Sequence, residues 1–250
     1  MCRSDEVRVN VVNPTGNNWG ELDEQTGPSR IEQTFEVLVF LAVIVPSEIL
    51  SYFVLQAATA SFVLSATATI VRDLALVALI LFFLWHNREG LPRIGWTWRS
   101  FWANVGIGIG LFIPFTLAAG LIESVLRDAG LSAPSAPLPS FLTAAGAGQY
   151  VLAFFLVAVV AVAEETIFRG YLILRFGNTT RSLAAAVILS TGVFALGHGY
   201  EGSAGIATVA FMGIVFALVY IWRGSLVAPM VLHFLQDFIS IIVLPLLMPH

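Results

Sequence analysis

A chain of 250 residues that is 58% hydrophobic and 11% charged is too apolar for a soluble domain and has the make-up of a multi-spanning membrane protein. The formal net charge of −4 argues against a nucleic-acid partner, whose binding surface must be basic. The single cysteine, Cys2, excludes an intrachain disulfide and a thiolate metal site.

Residues 1–33 are polar, hold six acids (Asp5, Glu6, Glu21, Asp23, Glu24 and Glu32) and are punctuated by Asn-Pro, Gly-Asn-Asn and Gly-Pro, which reads as a loosely attached tail without chemistry. The tail lacks the basic patch and early apolar core of a cleavable signal, so the first span is expected to insert uncleaved. Seven apolar runs follow, at about 35–55, 60–85, 101–122, 149–171, 183–198, 205–222 and 226–247. Most can cross about 30 Å of hydrocarbon at about 1.5 Å per residue. The predicted fold is therefore an all-α membrane protein of about seven transmembrane helices, with 34–148 as N-terminal helices and 149–247 as the unit that carries the chemistry. The run at 183–198 is the shortest, and Gly197 and Gly199 can end it inside the bilayer where irregular backbone lines a cavity.

All twelve basic residues are arginines, and positively charged loops stay in the cytoplasm. With a cytoplasmic N-terminus, Arg3, Arg8, Arg30, Arg88, Arg93, Arg99, Arg175, Arg181 and Arg223 fall inside and only Arg127 outside, while Arg72 and Arg169 lie within spans. The segment 88–99 with Trp96, Trp98 and the nearby Trp102 reads as an interface anchor, and 128–148 as an external connector rich in Ala, Pro, Gly and Ser. Asn178-Thr179-Thr180 fits a glycosylation acceptor but falls on the cytoplasmic side. Gly106, Gly108 and Gly110 resemble a nucleotide loop, yet no strand precedes them, so close helix packing is the better reading.

Charges at bilayer depth are expensive and usually face a protein interior or a hydrated cavity. Glu164, Glu165 and Arg169 end the apolar run that starts at 149, and in a helix Glu165 and Arg169 share one face while Glu164 points about 100° from its neighbour. An interfacial cluster that snorkels to water would look the same taken alone. His198, His233 and Asp237 on later runs give the cluster a destination, with His233 and Asp237 four apart on one helix face. Counting about 1.5 Å per residue puts Glu164 roughly 12–16 Å from Arg175, His233 about 12 Å and Asp237 about 18 Å from Ser225, and His198 about 24 Å from Arg181. The four can thus meet, with His198 the least comfortable member. Glu48 and the pair Arg72-Asp73 are further intramembrane charges, best read as structural pairing or a hydrated groove.

Glu-Glu-x-x-x-Arg at 164–169, Phe-x-x-x-His at 194–198 and His-x-x-x-Asp at 233–237, in this order on successive spans, resemble the CAAX-protease and bacteriocin-processing intramembrane endopeptidases. The resemblance covers about 149–247. It implies a helical fold whose catalytic cavity lies between the C-terminal spans and opens to the cytoplasm. The implied reaction is peptide-bond hydrolysis in a membrane-associated, for some relatives prenylated, substrate. Carried over residue by residue, it makes Glu164 the general base, His198 its partner in holding the attacking water and His233 the oxyanion donor. Phe194 supports the site, and Glu165 with Arg169 forms an orienting pair.

Asp237 stands where the family also has asparagine. An ionised aspartate cannot donate to an oxyanion, so Asp237 is protonated, orients His233, or joins Glu164, His198 and His233 as ligands of a divalent metal such as zinc. The His-Glu-x-x-His helix of zinc proteases is absent, which favours metal-independent catalysis. Intramembrane Glu, His and Arg also suit a proton-coupled carrier, although no inverted repeat is evident. A catalytically silent scaffold is the third reading.

Overall fold

The computed structural model describes residues 28–56, 61–133 and 142–247. Among them there are seven helices and no strand, so the all-α expectation holds: α1 Arg30–Gln56, α2 Phe62–His86, α3 Phe101–Asp128, α4 Ala147–Thr180, α5 Leu183–Leu196, α6 Gly202–Arg223 and α7 Val227–Leu247. Five of them, α2, α3, α4, α6 and α7, are long and apolar enough to cross a membrane. The predicted tail lies mostly outside the described residues, but its last four residues are the first turn of α1. Ser29 and Glu32 cap that turn reciprocally, each backbone N–H bonding the other side chain, as a capping box does.

The bundle is organised around α4. Every residue from Ala163 to Phe176 is buried, so this part of the helix meets no lipid on any face. Phe62 and Ala66 of α2 pack with Ala153, Leu156 and Val157 of α4, and Phe115 of α3 packs with Phe216 of α6 and Leu232 of α7. The outer faces are apolar instead: Leu117 is 69% and Ile188 67% exposed, while Arg175 is 0% and Asp73 1%. An apolar exterior around buried charge is what a hydrocarbon solvent selects.

Loops at one end of the bundle fix the level of the spans. The backbone N–H of Leu226 bonds the Gly95 carbonyl at 3.0 Å, and a side chain at Gly170 would meet the Ile94 carbonyl at 2.8 Å, so the 91–95 turn sits against both α4 and the start of α7. From this level Glu164 is six residues along α4 and His233 seven residues past Leu226, about 9 and 10 Å. The same end gathers Arg30, whose guanidinium bonds the Thr179 carbonyl, and Arg223, which bonds Asn104 at 2.8 Å. At the opposite end Ser132, just beyond α3, bonds Ser203 at the start of α6.

Two sequence readings are corrected here. Arg175 is not a loop residue, because α4 continues to Thr180. Its guanidinium is buried against Glu36 at 2.9 Å and against both oxygens of Glu89, and its Tyr171 neighbour donates to the same Glu36 carboxylate. The depth of Glu164 counted from Arg175 therefore used the wrong origin; counted from Thr180 it is sixteen residues, comparable with the fifteen from Leu183 to His198. Trp96 is the second correction. Its indole N–H donates to Thr166 at 3.0 Å inside the bundle, while Trp98 and Trp102 are exposed.

Candidate active site

The stretch that carries the first motif is a widened helix. Residues Glu165–Leu172 form π-type turns within α4, and Phe238–Val243 do the same in α7 immediately after Asp237. Such turns loosen the backbone ladder and recur at functional sites. Polar side chains meet the loosened backbone: Ser190 of α5 donates to the Phe168 carbonyl at 2.6 Å, and Thr166 donates to Val162 at 2.7 Å.

Within this frame Arg169 donates to Glu165 Oε1 at 2.9 Å, on the expected shared face. The same oxygen lies 2.9 Å from His233 Nδ1, a contact between α4 and α7 that spacing within either motif could not show. His233 is then fixed at both nitrogens. Its Nε2 faces Asp237 Oδ2 at 3.5 Å and Glu164 Oε2 at 3.9 Å, and that Glu164 oxygen has no hydrogen-bond partner among the described residues. Glu164 is 8% exposed and His233 4%. Glu164, Glu165, Arg169, His233 and Asp237 are thus brought together.

Aromatic rings box this group in. Phe216 of α6 stacks on His233 at 5.2 Å, and Phe194 of α5 meets it edge-on at 6.2 Å. The Arg169 guanidinium lies over the same two rings, 4.2 Å from Phe194 and 5.0 Å from Phe216, and also donates to the Gly213 carbonyl at 3.4 Å. A desolvated cation over a ring gains about 2 kcal/mol, which holds a charge where water cannot. Phe216 escaped the sequence reading because nothing marks one phenylalanine among many in an apolar run.

His198 is attached less directly. It follows the end of α5, its ring lies tilted against Phe194 at 4.9 Å, and its Nδ1 lies 3.0 Å from the Phe194 carbonyl, so among the described residues its ring bonds its own helix end and not Glu164. It interacts electrostatically with Glu48 of α1 and with Glu201. Tyr200, in the short turn Gly199–Glu201, interacts with Glu201, Asp237 and Glu164. Tyr200 and Glu201 are also site neighbours that sequence reasoning missed; their signal was a tyrosine and an acid beside His198, in a turn read only as a helix end.

The four residues weighed as metal ligands do not fit that role. Among the described residues no group of three or more His, Cys, Asp or Glu side chains is arranged around one point. His233 Nδ1 faces Glu165 and His198 Nδ1 a backbone carbonyl, and no step below is routed through a metal.

One turn from the site towards the 91–95 loop lies an apolar cavity of about 260 Å³, lined among others by Trp96, Trp98, Phe101, Val162 and Met230. Val162 is two residues from Glu164 and Met230 three from His233.

Compared with known proteins, the chain has no significant match among curated sequences and none among solved structures. A family model, Type II CAAX prenyl endopeptidase Rce1-like, matches residues 146–239. That span holds Glu164, Glu165, Arg169, Phe194, His198, His233 and Asp237, and leaves out α1 to α3. The segment from 146 to 239 is therefore a domain of the Rce1-like type II CAAX endopeptidase family, a family of peptide hydrolases.

Proposed function

We propose that the chain is an intramembrane endopeptidase that hydrolyses a peptide bond in a membrane-associated protein, with Glu164 as general base. The observation that carries this reading is the division of labour between two adjacent carboxylates. Glu165 Oε1 is held by Arg169 and His233, and its Oε2 has no partner among the described residues; Glu164 Oε2 is likewise buried and without a partner among them, and it is the oxygen that faces His233 Nε2, at 3.9 Å. A carboxylate in that state can take a proton. Water gives its proton to Glu164 and adds to the substrate carbonyl carbon, and the carbonyl electron pair moves to oxygen. His233 donates from Nε2 to the oxyanion, a contribution of about 2.7–4 kcal/mol for a well-placed donor. Protonated Glu164 then passes its proton to the leaving nitrogen as the C–N bond breaks.

Glu165 on Nδ1 orients the ring of His233 from one side, and Asp237 stands beside Nε2 on the other. The position of Asp237, four residues after His233 and 3.5 Å from its Nε2, supports this orienting role. His198 helps hold the attacking water from the end of α5. The apolar cavity beside Val162 and Met230 receives the lipid chain that anchors the substrate, and the family match supports a prenylated CAAX-type protein as the substrate class. The arginines gathered at the 91–95 end support a cytoplasmic side for that face and for the opening of the site.

The test is cleavage of membrane-anchored reporters, with and without a farnesyl group, by purified protein and by Glu164→Ala, His198→Ala and His233→Ala. Loss of a general base lowers the rate by about 10²–10⁴-fold. Folded variants that cleave as the wild type does would sink the assignment, and solute flux in liposomes without proteolysis would make the protein a carrier.

A further inference from the structure

Three charged residues of the N-terminal helices lie outside the matched domain yet border the site. Arg72 of α2 bonds Glu48 of α1 at 2.9 Å and, through both Nη2 and Nε, Asp73 Oδ1 at 2.9 Å. Asp73 sits on the buried seam of α2, in line with Phe62, Ala66, Leu76, Ile80 and Leu84, where the spacing calls for an apolar residue. Its second oxygen has no partner among the described residues. The Glu48 carboxylate packs on the backbone just before His198: a side chain at Gly197 would stand 3.0 Å from Glu48 Oε2. Glu48, Arg72 and Asp73 all interact electrostatically with Glu164.

We propose that Arg72, clamped between Glu48 and Asp73, is a positioning residue of the active site, and that α1 and α2 complete the catalytic unit around the matched domain. The inference rests on Glu164 being the general base. Glu164 is faced by His233 and Asp237 from α7, by Glu165 and Arg169 from its own helix, by Tyr200 with Glu201 from the turn after α5, and by Glu48 and Asp73 from α1 and α2. Carboxylates outnumber guanidinium groups in this ring. Arg169 is committed to Glu165, whereas Arg72 is the guanidinium that bonds Glu48 and Asp73, the two carboxylates that α1 and α2 bring to the site. It acts through Glu164 and does not touch the scissile bond.

The test is the pH profile of kcat/KM for reporter cleavage by the full chain, comparing wild type with Arg72→Gln, Arg72→Lys and Asp73→Asn, with thermal unfolding as the control for folding. Removing the cation disfavours the ionised base, so the acid limb for Arg72→Gln moves to higher pH by roughly one unit, about tenfold in rate on that limb. Arg72→Lys restores the limb. Asp73→Asn, which keeps shape and removes a negative charge, moves it to lower pH. A folded Arg72→Gln with the wild-type limb, or a lysine variant no better than glutamine, overturns the proposal. If Arg72→Gln does not fold, Asp73→Asn alone decides: a limb that stays put or moves up overturns it. Wild-type cleavage abolished in Glu164→Ala but with an Arg72-independent limb defeats this inference and leaves the general base intact, whereas a wild type without proteolysis defeats both.

Discussion

Gly108 is the point where a single methylene should move His233. On α3, a Cβ at this position would stand 2.7 Å from the Ala228 carbonyl oxygen and 2.7 Å from Val231 Cβ, both on the first turns of α7. Ordinary carbon contacts are about 3.5–4.0 Å, so α7 must retreat by roughly 1 Å, and neither a carbonyl nor a Cβ can rotate away. His233 is two residues past Val231 and moves with it. Overpacking of this kind costs about 1–3 kcal/mol, and a misplacement near 1 Å costs on the order of 10²-fold in rate. Gly106 and Gly110 provide the internal reference, since a Cβ at either meets nothing within 4 Å. There alanine gains about 0.5–1 kcal/mol of helix stability by restricting the unfolded chain. Thermal unfolding in detergent and reporter cleavage should therefore show Gly108→Ala less stable and about 10²-fold slower, and Gly106→Ala and Gly110→Ala slightly more stable and fully active. Three alanine variants that behave alike would refute the close-packed contact between α3 and α7.

Arg175→Met should destabilise the fold by on the order of 3–5 kcal/mol, because it strands the buried Glu36 and Glu89 carboxylates that the guanidinium holds. Adding Glu36→Gln should recover part of the loss, and a single variant that unfolds at the wild-type temperature would contradict the buried network. Asp237→Asn should keep activity within about tenfold and stay insensitive to chelators, since an amide can still orient or donate at His233 Nε2. Lost activity together with a metal bound stoichiometrically to the wild type would overturn the orienting role.

How much of this was legible depended on whether the information lay within one helix or between helices. The fold class follows from apolar run lengths, because lipid imposes them. The Glu165–Arg169 pair follows from four-residue spacing, which survives in the widened turns. The His233–Glu165 contact was out of reach, since it joins residues 68 apart through the packing of α4 on α7. Arg175 was misread for a related reason. Charge near the end of an apolar run normally marks the water interface, but here Glu36 and Glu89 follow it into the interior. The pairing of Arg72 with Asp73 was foreseeable from adjacency, whereas the approach of that pair to Glu164 was not, because it depends on which face of α2 meets α4.

That α4 is buried on every side through Ala163–Phe176 explains why the chemistry sits where it does and why a domain ending upstream at residue 146 is not the whole site. A helix that meets lipid must spend one face on apolar side chains; a helix enclosed by its neighbours can hold Glu164, Glu165, Arg169 and Arg175 on several faces, provided each neighbour supplies a partner. The α7 face supplies His233 and Asp237, the α5 and α6 faces supply Phe194 and Phe216, and the loop before α3 supplies Trp96. The α1 and α2 faces supply Glu36, Glu89 from the turn after α2, and the Glu48–Arg72–Asp73 cluster. Each added residue in a widened turn rotates everything beyond it by about 100° relative to an unbroken helix. The turns from Glu165 to Leu172 therefore set which neighbour faces the buried Arg175 beyond them.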